Sequence, residues 1–588
     1  MLDHNGFARG LQAGMAVFGL SALAGVWAAY DPALSLPMLA VVLAGAGLYF
    51  AAARRRPLAR AELAAGVVAA AGLLIALYFI AQYGHQAHTA KSGLLARLGQ
   101  ATTFLPDLHG PLLHPNVAAS YLLSSLPIAA AMALTRRRPA ARLAWLAAVA
   151  IMGYAGLLTA SRGAWLAAGA AGAAGGLLLL ARRGRWAAGV VAGGGLLMVA
   201  LLAVVVVDWG QWPLLASAVP RALERGQIYR DSLYLARDYA YTGLGLGDTF
   251  SKVYTRYSQL AQVETLTHAH NLPLAVWLGQ GLLGLAAFLV LSAAFFGLVA
   301  VTVRAARPGL VFHGAWLGVL AALLHGLTDA PQYSGSLWLT LAGLGAAAGL
   351  ALSAEAAAPP APRPTRRPSM EVFLVVIVVA VAGLAVLYRP ALAAGYTNLG
   401  ALAETRAELA PGLSAAERQA GLAAAQAWYA RALAVDDAWP SANRRLGNLK
   451  TMQGDYAAAV PLLETALRQE SRYAAATKGL GLAYAWSGRA ETAAVIFHQL
   501  SDPGAMEQDL YNWGYYFSEQ GRPLLTAYSW EAAQAMYPDA QTTGVWLLIA
   551  EQYVAAGEKE AARRWYERVL AVEPGQPQAA AALEQLGD

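Results

Sequence analysis

The stretch Thr267-His268-Ala269-His270-Asn271-Leu272, followed by the apolar run from Pro273 to Leu285, marks the point where a polar segment enters a predicted membrane helix. Two imidazoles and a carboxamide lie at this junction. Neutral imidazole accepts a proton near pH 7, and a site at a bilayer boundary is partly shielded from water. The same residues would also suit an interfacial anchor or a helix cap, so the remaining sequence has to distinguish the two interpretations.

Composition places the chain among membrane proteins. Of its 588 residues, 58% are hydrophobic and 13% are charged, and the mean hydropathy is +0.44, values typical of a polytopic membrane protein. The chain contains no cysteine, which excludes disulfides, thiolate metal sites and a cysteine nucleophile. Its arginines occur in short loops between apolar runs and form no basic domain face, so no nucleic acid partner is expected.

Apolar runs of about 20 residues, the length that crosses a bilayer, predict about eleven transmembrane helices. They lie at 11–29, 33–52, 63–82, 115–134, 142–159, 164–181, 187–207, 272–302, 310–327, 336–353 and 372–389. The first run resembles a signal peptide, but we interpret it as a retained helix because a second run follows at once.

Arginine-rich loops predict the orientation of these helices. Five loops with arginine clusters fall on one side if the helices alternate, so the positive-inside rule places them and the N-terminus in the cytoplasm. The outer face then receives the long segment 208–270 and the whole chain after Arg389. The clusters are Arg54, Arg55, Arg56 and Arg60; Arg136, Arg137, Arg138 and Arg142; Arg182, Arg183 and Arg185; Arg304 and Arg307; and Arg363, Arg366 and Arg367.

The outer segments hold most of the residues that could do chemistry. His114 and Asn116 begin the fourth run, Arg162 lies at a tight turn after the fifth, and Asp329 follows the ninth. Each could singly be a cap, a lipid anchor or a solvated face. Together with the loop they favour a phosphate-bearing ligand, because guanidinium pairs with phosphate oxygens through two parallel hydrogen bonds. The basic residues of the loop are Arg221, Arg225, Arg230, Arg237, Lys252 and Arg256.

Several ordered motifs between about residues 100 and 335 resemble the O-antigen ligase and polymerase superfamily. They are HPN at 114–116, SRGAWL at 161–166, ERGQIYR at 224–230 leading to GLGLGDTF at 243–250, and HAHN at 268–271 followed by Gly281 and Gly284. Members of this superfamily are polytopic, inverting glycosyltransferases that use a glycan linked to polyprenyl pyrophosphate. They act on the outer face of the bacterial inner membrane, which is the location that the resemblance implies here.

The resemblance also implies roles for individual residues. The family's Arg-x3-Leu motif falls on Arg162 and Leu166, its His-x10-Gly motif on His270 and Gly281, and its loop arginine on Arg225, with Arg221 as a second choice. His270 would be the base that takes the proton of the acceptor hydroxyl, and the arginines would neutralise the leaving pyrophosphate. Substrate-binding roles are expected for Arg221, His268, Asn271, His114, Asn116 and Asp329.

One departure from the family concerns the end of the histidine motif. The family often has an acidic residue there, whereas this chain reads Leu278-Gly279-Gln280-Gly281. No cluster of carboxylates suited to Mg²⁺ or Mn²⁺ accompanies the predicted site. We therefore expect metal-independent transfer that needs no cofactor.

Beyond residue 355 the sequence predicts a second region, with an Ala/Pro-rich cytoplasmic linker at 356–370, a last transmembrane helix at 371–389 and a polar extracytoplasmic part at 390–588. Glycine pairs recur there with a spacing near 34, at Gly447 and Gly454, Gly481 and Gly488, and Gly514 and Gly521. This pattern resembles tetratricopeptide repeats, which are helix pairs that stack into an α-solenoid.

The sequence thus predicts an all-α membrane glycosyltransferase domain at 1–355, with its extracytoplasmic loop at 208–270, joined to a repeat domain that recruits a partner or serves as a spacer. The acceptor could be a lipid, a glycan or a protein. Ligation is favoured, while polymerisation of repeat units and transfer to protein Ser or Thr stay open. The alternative from another class is a non-enzymatic membrane-anchored scaffold. A transporter is disfavoured because the ionisable residues collect at the outer boundary and not at the bilayer midplane.

Overall fold

The computed structural model describes residues 4–54, 57–83, 98–106, 110–183, 214–264, 266–305, 308–330, 333, 335–356, 370–538 and 542–587. Helices are the regular structure of these ranges, and no strand occurs within them. The predicted all-α class is therefore confirmed. The chain divides into two units: residues 1–229, 241–249 and 268–368 form the first, and residues 230–240, 250–267 and 369–588 form the second.

The first unit contains the apolar helices. They are α1 (His4–Ala28), α2 (Leu36–Ala52), α3 (Leu58–Tyr83), α4 (Pro115–Thr135), α5 (Pro139–Leu158), α6 (Arg162–Arg183), α9 (Leu272–Ala305), α10 (Leu310–Gly326) and α11 (Leu337–Ala356). A further helix, α7 (Leu214–Asp238), begins in this unit and ends in the second.

Membrane-spanning length and apolar composition are found in seven stretches of the described residues. These are His4–Ala28, Pro32–Ala52, Leu58–Tyr83, Pro115–Thr135, Pro139–Leu158, Leu272–Arg304 and Leu337–Ala356, and α10 is a shorter apolar helix. The chain is thus a multi-pass membrane protein. The span predicted at 187–207 lies outside the described residues, so the total of about eleven stays a prediction.

Small residues bring the helices of the first unit together. Helix α1 packs along α9, where Gly14 faces Leu291, and α2 packs along α11. A Cβ atom added at Gly345 of α11 would lie 2.8 Å from the backbone of Tyr49 in α2. Because lipid is as apolar as the helices, membrane helices associate through such close contacts and not through hydrophobic burial.

Helix α9 is broken at Gly281, whose φ of 68° lies in the left-handed region. The glycine-rich segment 241–249 docks at this break. The backbone N–H of Leu244 donates to the carbonyl of Leu278 at 2.7 Å, and a Cβ atom at Gly281 would overlap the carbonyl of Tyr241. The glycine that ends the histidine motif therefore makes room for the segment that follows α7.

Gly281→Ala is expected to destabilise the first unit. Alanine is strained at this φ by about 1–2 kcal/mol, and its methyl group would collide with the Tyr241 carbonyl. Thermal unfolding of the full chain in detergent should show a lower melting temperature. Gly153→Ala is the matched control, because a Cβ atom there meets nothing within 4 Å. Equal melting temperatures for the two variants would contradict this account.

The second unit is a succession of helix pairs. Its elements are α8 (Phe250–Tyr254) with a π-helical turn (Thr255–Gln259), α12 (Met370–Leu409), α13 (Ala415–Val435), α14 (Pro440–Met452), α15 (Tyr456–Gln469), α16 (Ala474–Trp486), α17 (Ala490–Phe497), α18 (Pro503–Glu519), α19 (Pro523–Met536), α20 (Thr543–Ala555), α21 (Lys559–Val572) and α22 (Pro577–Leu586). Most successive helices pack on one another along this array, as expected for a solenoid.

The two glycines of each predicted pair have different physical roles. The first allows the two helices of a repeat to approach, since an added Cβ would overlap Leu463 at Gly447, Phe497 at Gly481 and Trp530 at Gly514. The second ends the first helix with a positive φ, which is 81° at Gly454, 77° at Gly488 and 64° at Gly521. Both positions exclude a side chain, which explains why the repeat period is visible in the sequence.

Two stretches of the predicted loop 208–270 belong to the second unit, namely 230–240 and 250–267. Buried Arg444 of α14 pairs with Asp238 of α7 at 2.6 Å. Arg256 pairs with Glu408 of α12 at 2.7 Å. From the sequence, Arg256 was predicted to be one of the cations available to an anionic ligand. That prediction was wrong, because a partly buried carboxylate of the chain itself already neutralises this arginine.

Candidate active site

Asp329, in the turn after α10, is the centre of the polar cluster in the first unit. Its Oδ1 atom lies 2.8 Å from His268 Nε2 and 3.1 Å from His270 Nδ1. The same oxygen accepts the backbone N–H of Ala330 at 2.8 Å, and Asn116 Nδ2 donates to Oδ2. A single carboxylate, 3% exposed, thus joins two histidines of the HAHN motif to the asparagine of HPN.

The charge of Asp329 determines which nitrogens of the histidines carry protons. Burial alone would raise the pKa of this carboxyl, but hydrogen bonds from His268 and His270 outweigh it and hold the pKa below the usual range. An ionised carboxylate can only accept hydrogen bonds, so both imidazoles donate to it. Neutral His270 is therefore protonated on Nδ1, which leaves its Nε2 with a lone pair that can take a proton.

The backbone holds this turn in an unusual conformation. His270 has a φ of 51°, a left-handed value that costs an L-residue about 1–2 kcal/mol. Asn271 then caps α9 through its Oδ1 atom, which accepts the N–H of Leu274 at 3.1 Å, while its Nδ2 donates to the Leu327 carbonyl at 3.3 Å. The cap fixes the start of α9 against the turn that carries Asp329. Backbone strain like that at His270 is common in functional sites.

Arg225 reaches the same turn from α7. Its guanidinium donates to the carbonyl of Thr328 at 3.0 Å, the residue before Asp329, and its side chain is exposed. Tyr229 lies one helical turn further on and donates its hydroxyl to the Leu327 carbonyl at 3.3 Å. Two neighbouring side chains of one helix face therefore contact the turn that carries Asp329. Tyr229 lies in the ERGQIYR motif but was not predicted to be a site residue, although its spacing of four from Arg225 could have indicated it.

Arg162 begins α6 after a sharp turn in which Ala160 has a φ of 49°. Ser161 contacts His325 at 3.5 Å, and a Cβ atom at Gly163 would meet Thr328 Oγ1 at 2.5 Å. The hairpin therefore packs against the end of α10. The Arg162 side chain is exposed and makes no hydrogen bond or ion pair to a residue described in the structure.

His114 serves first as a helix cap. Its Nδ1 atom accepts the backbone N–H of Asn116 at 3.2 Å, at the start of α4. This cap orients Asn116, whose carboxamide donates to Asp329. The side chain of Arg221, the second choice for the loop arginine, lies outside the described part of the chain.

The structure brings together most of the residues predicted to form the site. Five of them contact one another or the same turn, and Arg162 lies next to a residue that packs against this turn. The five are His268, His270, Asn271, Asn116 and Arg225, arranged around Asp329. His325 is a further histidine at this turn, and it was not predicted to belong to the site. It is buried, and its backbone carbonyl accepts the N–H of Asp329 at 3.0 Å.

The cluster also contains a possible set of metal ligands, because one ligand atom each from His268, His270 and Asp329 lie within 4.8 Å of one another. Three protein ligands are enough for a catalytic metal. In the observed geometry, however, both ring nitrogens approach one carboxylate oxygen at hydrogen-bond distance. This arrangement suits orientation of the imidazoles by the carboxylate, and metal independence stays a prediction that chelation tests.

Comparisons with known families confirm the resemblance. Residues 147–289 match the model of the O-antigen ligase family, and residues 451–511 match a tetratricopeptide repeat model. The first match contains Arg162, Arg225 and both histidines of the HAHN motif. It supports a membrane protein of the ligase and polymerase type, which transfers glycans. No curated protein matches the chain.

Two solved structures of tetratricopeptide-repeat proteins are similar to part of this chain. One is YrrB, described as a TPR protein with an unusual peptide-binding site, at 17% identity over 31% of this chain and 91% of the other, with a TM-score of 0.18. Another is a thermophilic TPR protein from Thermus thermophilus, at 19% identity over 29% of this chain and 92% of the other, with a TM-score of 0.16.

Proposed function

We propose that the chain is an inverting, metal-independent glycosyltransferase that moves a glycan from a polyprenyl-pyrophosphate carrier to an acceptor hydroxyl, in the manner of an O-antigen ligase. The observation that carries this proposal is the bond between Asp329 and His270 Nδ1. It leaves Nε2 of neutral His270 unprotonated, and the exposed guanidinium of Arg225 donates to the carbonyl of Thr328, the residue before Asp329. The same turn therefore carries contacts to a base and to a cation that suits a phosphate.

The reaction is a single displacement. The acceptor oxygen forms a bond to the anomeric carbon while the bond from that carbon to the pyrophosphate oxygen breaks, which inverts the configuration. His270 Nε2 takes the hydroxyl proton, and Asp329 stabilises the imidazolium that results. The pyrophosphate leaves with the bonding electrons, and Arg225 and Arg162 neutralise the charge that develops on it.

The arginine clusters of the loops support an orientation in which this site faces outward from the bacterial inner membrane, with the N-terminus in the cytoplasm. The lipid-linked donor would then approach from the outer leaflet. The acceptor favoured here is another membrane-bound saccharide lipid, because the ordered arginine and histidine motifs resemble the ligase branch.

Transfer by the purified full chain in detergent tests this proposal. With EDTA present and an undecaprenyl-pyrophosphate glycan as donor, we expect transfer to a saccharide-lipid acceptor that Arg162→Ala abolishes. Transfer only to a second donor molecule would assign the protein to the polymerases, and transfer only to a Ser/Thr peptide would make it a protein transferase. Activity that needs added Mg²⁺ or Zn²⁺ would overturn the metal-free mechanism.

The role of Asp329 can be separated from folding by exchanging two residues. Asp329→Asn is expected to slow transfer by up to about 10⁴-fold, the effect of the same change in a Ser-His-Asp triad, because a neutral amide no longer stabilises the imidazolium that forms on His270. The double variant Asn116→Asp, Asp329→Asn exchanges the two side chains. Each hydrogen bond can form again, and the negative charge now lies on residue 116 instead of residue 329. Initial rates should show partial recovery in the double variant, and a rate below that of the single variant would contradict this role.

A further inference from the structure

Repeated positions on the first helices of the repeats form one surface in the second unit. On α14 they are Arg444, Asn448 and Met452; on α16 they are Lys478, Leu482 and Trp486; on α18 they are Asp509, Trp513 and Phe517. Within each helix the spacing is four, so the three side chains lie on one face. From α14 to α16 each position advances by 34, the repeat period. In stacked repeats such equivalent positions line the surface that binds ligands.

This surface is occupied by the chain itself. Trp513 donates its indole N–H to the carbonyl of Leu260 at 2.8 Å. Lys478 donates to the carbonyl of Gln259 at 2.9 Å and also pairs with Asp509 at 2.7 Å. Leu260 itself is buried in one apolar cluster with Leu482, Trp486 and Trp513. The repeat surface thus recognises both the backbone and the side chain of the segment.

Charged groups of the second unit bind the turn that precedes Leu260 in the same segment. Arg256 forms two hydrogen bonds to Glu408, at 2.7 and 3.2 Å, and Tyr257 donates to the same carboxylate at 3.0 Å. The guanidinium of Arg445 stacks on the Tyr257 ring with its carbon 3.8 Å from the centroid. Arg256 and Glu408 are partly buried, so this charged pair adds a specific contact to the apolar contact that Leu260 makes.

We propose that the repeat domain is the receptor for the chain's own segment Phe250–Leu260 and acts as a positioning element for the active-site turn. His268 follows Leu260 by eight residues (268 − 260), so a fixed Leu260 limits the conformations open to the chain that enters this turn. The effect on transfer rests on the proposed function. Occupation of the surface by the segment does not depend on it.

The natural absence of cysteine allows a direct test in the full chain. Ser258→Cys introduces a thiol inside the segment at a residue that is 1% exposed, and Val263→Cys introduces one just beyond the segment at a residue that is 56% exposed. We expect a maleimide in detergent to label the second at least about 10-fold faster than the first, because a held segment excludes the reagent. Equal labelling rates would overturn the proposal.

Release of the segment tests the positioning role. Arg256→Ala should raise the labelling rate of Ser258→Cys at least about 10-fold, because both hydrogen bonds to Glu408 are lost. The milder Arg256→Lys should raise it about 3-fold, because lysine keeps the charge but not the two-pronged geometry. Transfer by both variants in the cysteine-free background should fall in the same order, with donor binding retained. Faster labelling with unchanged transfer would overturn the positioning role. If wild type transfers nothing, the proposed function fails, while the labelling comparison still decides whether the repeats hold the segment.

Discussion

Replacing His270 with alanine is expected to lower the rate of glycan transfer by about 10²–10⁴-fold, the usual contribution of a positioned general base. The remaining groups still bind the donor, so the loss should appear in kcat more than in KM. The measurement is a steady-state rate with purified full chain and a saturating donor. A residual rate above that of the uncatalysed reaction is expected, because Arg225 and Arg162 still neutralise the leaving group.

His268→Ala is the matched control for His270. Both imidazoles donate to the same oxygen of Asp329, so each substitution removes one hydrogen bond from that carboxylate. A purely structural role would give similar losses for the two variants. The proposed base predicts a much larger loss for His270, and the opposite order would move the role of base to His268.

Replacing Arg444 with alanine is expected to destabilise the second unit by about 3–5 kcal/mol, the cost of breaking a buried ion pair from one side. Arg444 is fully buried. Its guanidinium donates to both oxygens of Asp238 at 2.6 and 2.8 Å and to Glu470 at 3.2 Å. Burial acts to lower the pKa of the guanidinium, but the neighbouring carboxylates outweigh it and raise that pKa. The side chain is therefore charged in the folded protein.

Hydrogen exchange measured along the full chain is the suitable test, because a protein of two units does not unfold in a single step. Protection should be lost in α14 and at the end of α7, around Asp238, and retained in α1. Arg468→Ala is the control, since this arginine is exposed on α15 and its loss should change protection little. Unchanged protection in Arg444→Ala would show that the pair contributes nothing to stability.

Hydropathy and glycine spacing predicted much of the fold. The apolar runs coincide with helices such as α3 and α4, because burial in lipid demands continuous apolar length. The repeat period was readable because close packing excludes a side chain at Gly481 and backbone conformation excludes one at Gly488. The break at Gly281 was not predicted, because glycine is common in membrane helices and its φ cannot be read from the sequence.

The site was predicted in its members more than in its arrangement. His268, Asn116 and Asp329 were chosen because they lie at the predicted outer ends of apolar runs, and His270 was chosen also because it falls on the histidine motif of the resembled family. The central position of Asp329 was not predicted, because it depends on contacts between residues up to 213 positions apart. The partner of Asp238 was missed for the same reason, since Arg444 lies 206 positions away and no periodicity links the two.

The division of the chain into units has a consequence for protein engineering. The polypeptide passes from one unit to the other after Tyr229, Ala240, Thr249, Thr267 and Pro368. A stop codon at residue 369 would therefore leave Asp238 without its buried cation and Leu260 without its indole partner. A chimaera that receives the repeats of a related protein would also have to receive that protein's residues equivalent to 230–240 and 250–267. We therefore expect that substitutions on the repeat surface will need compensating substitutions in the loop stretches that contact it.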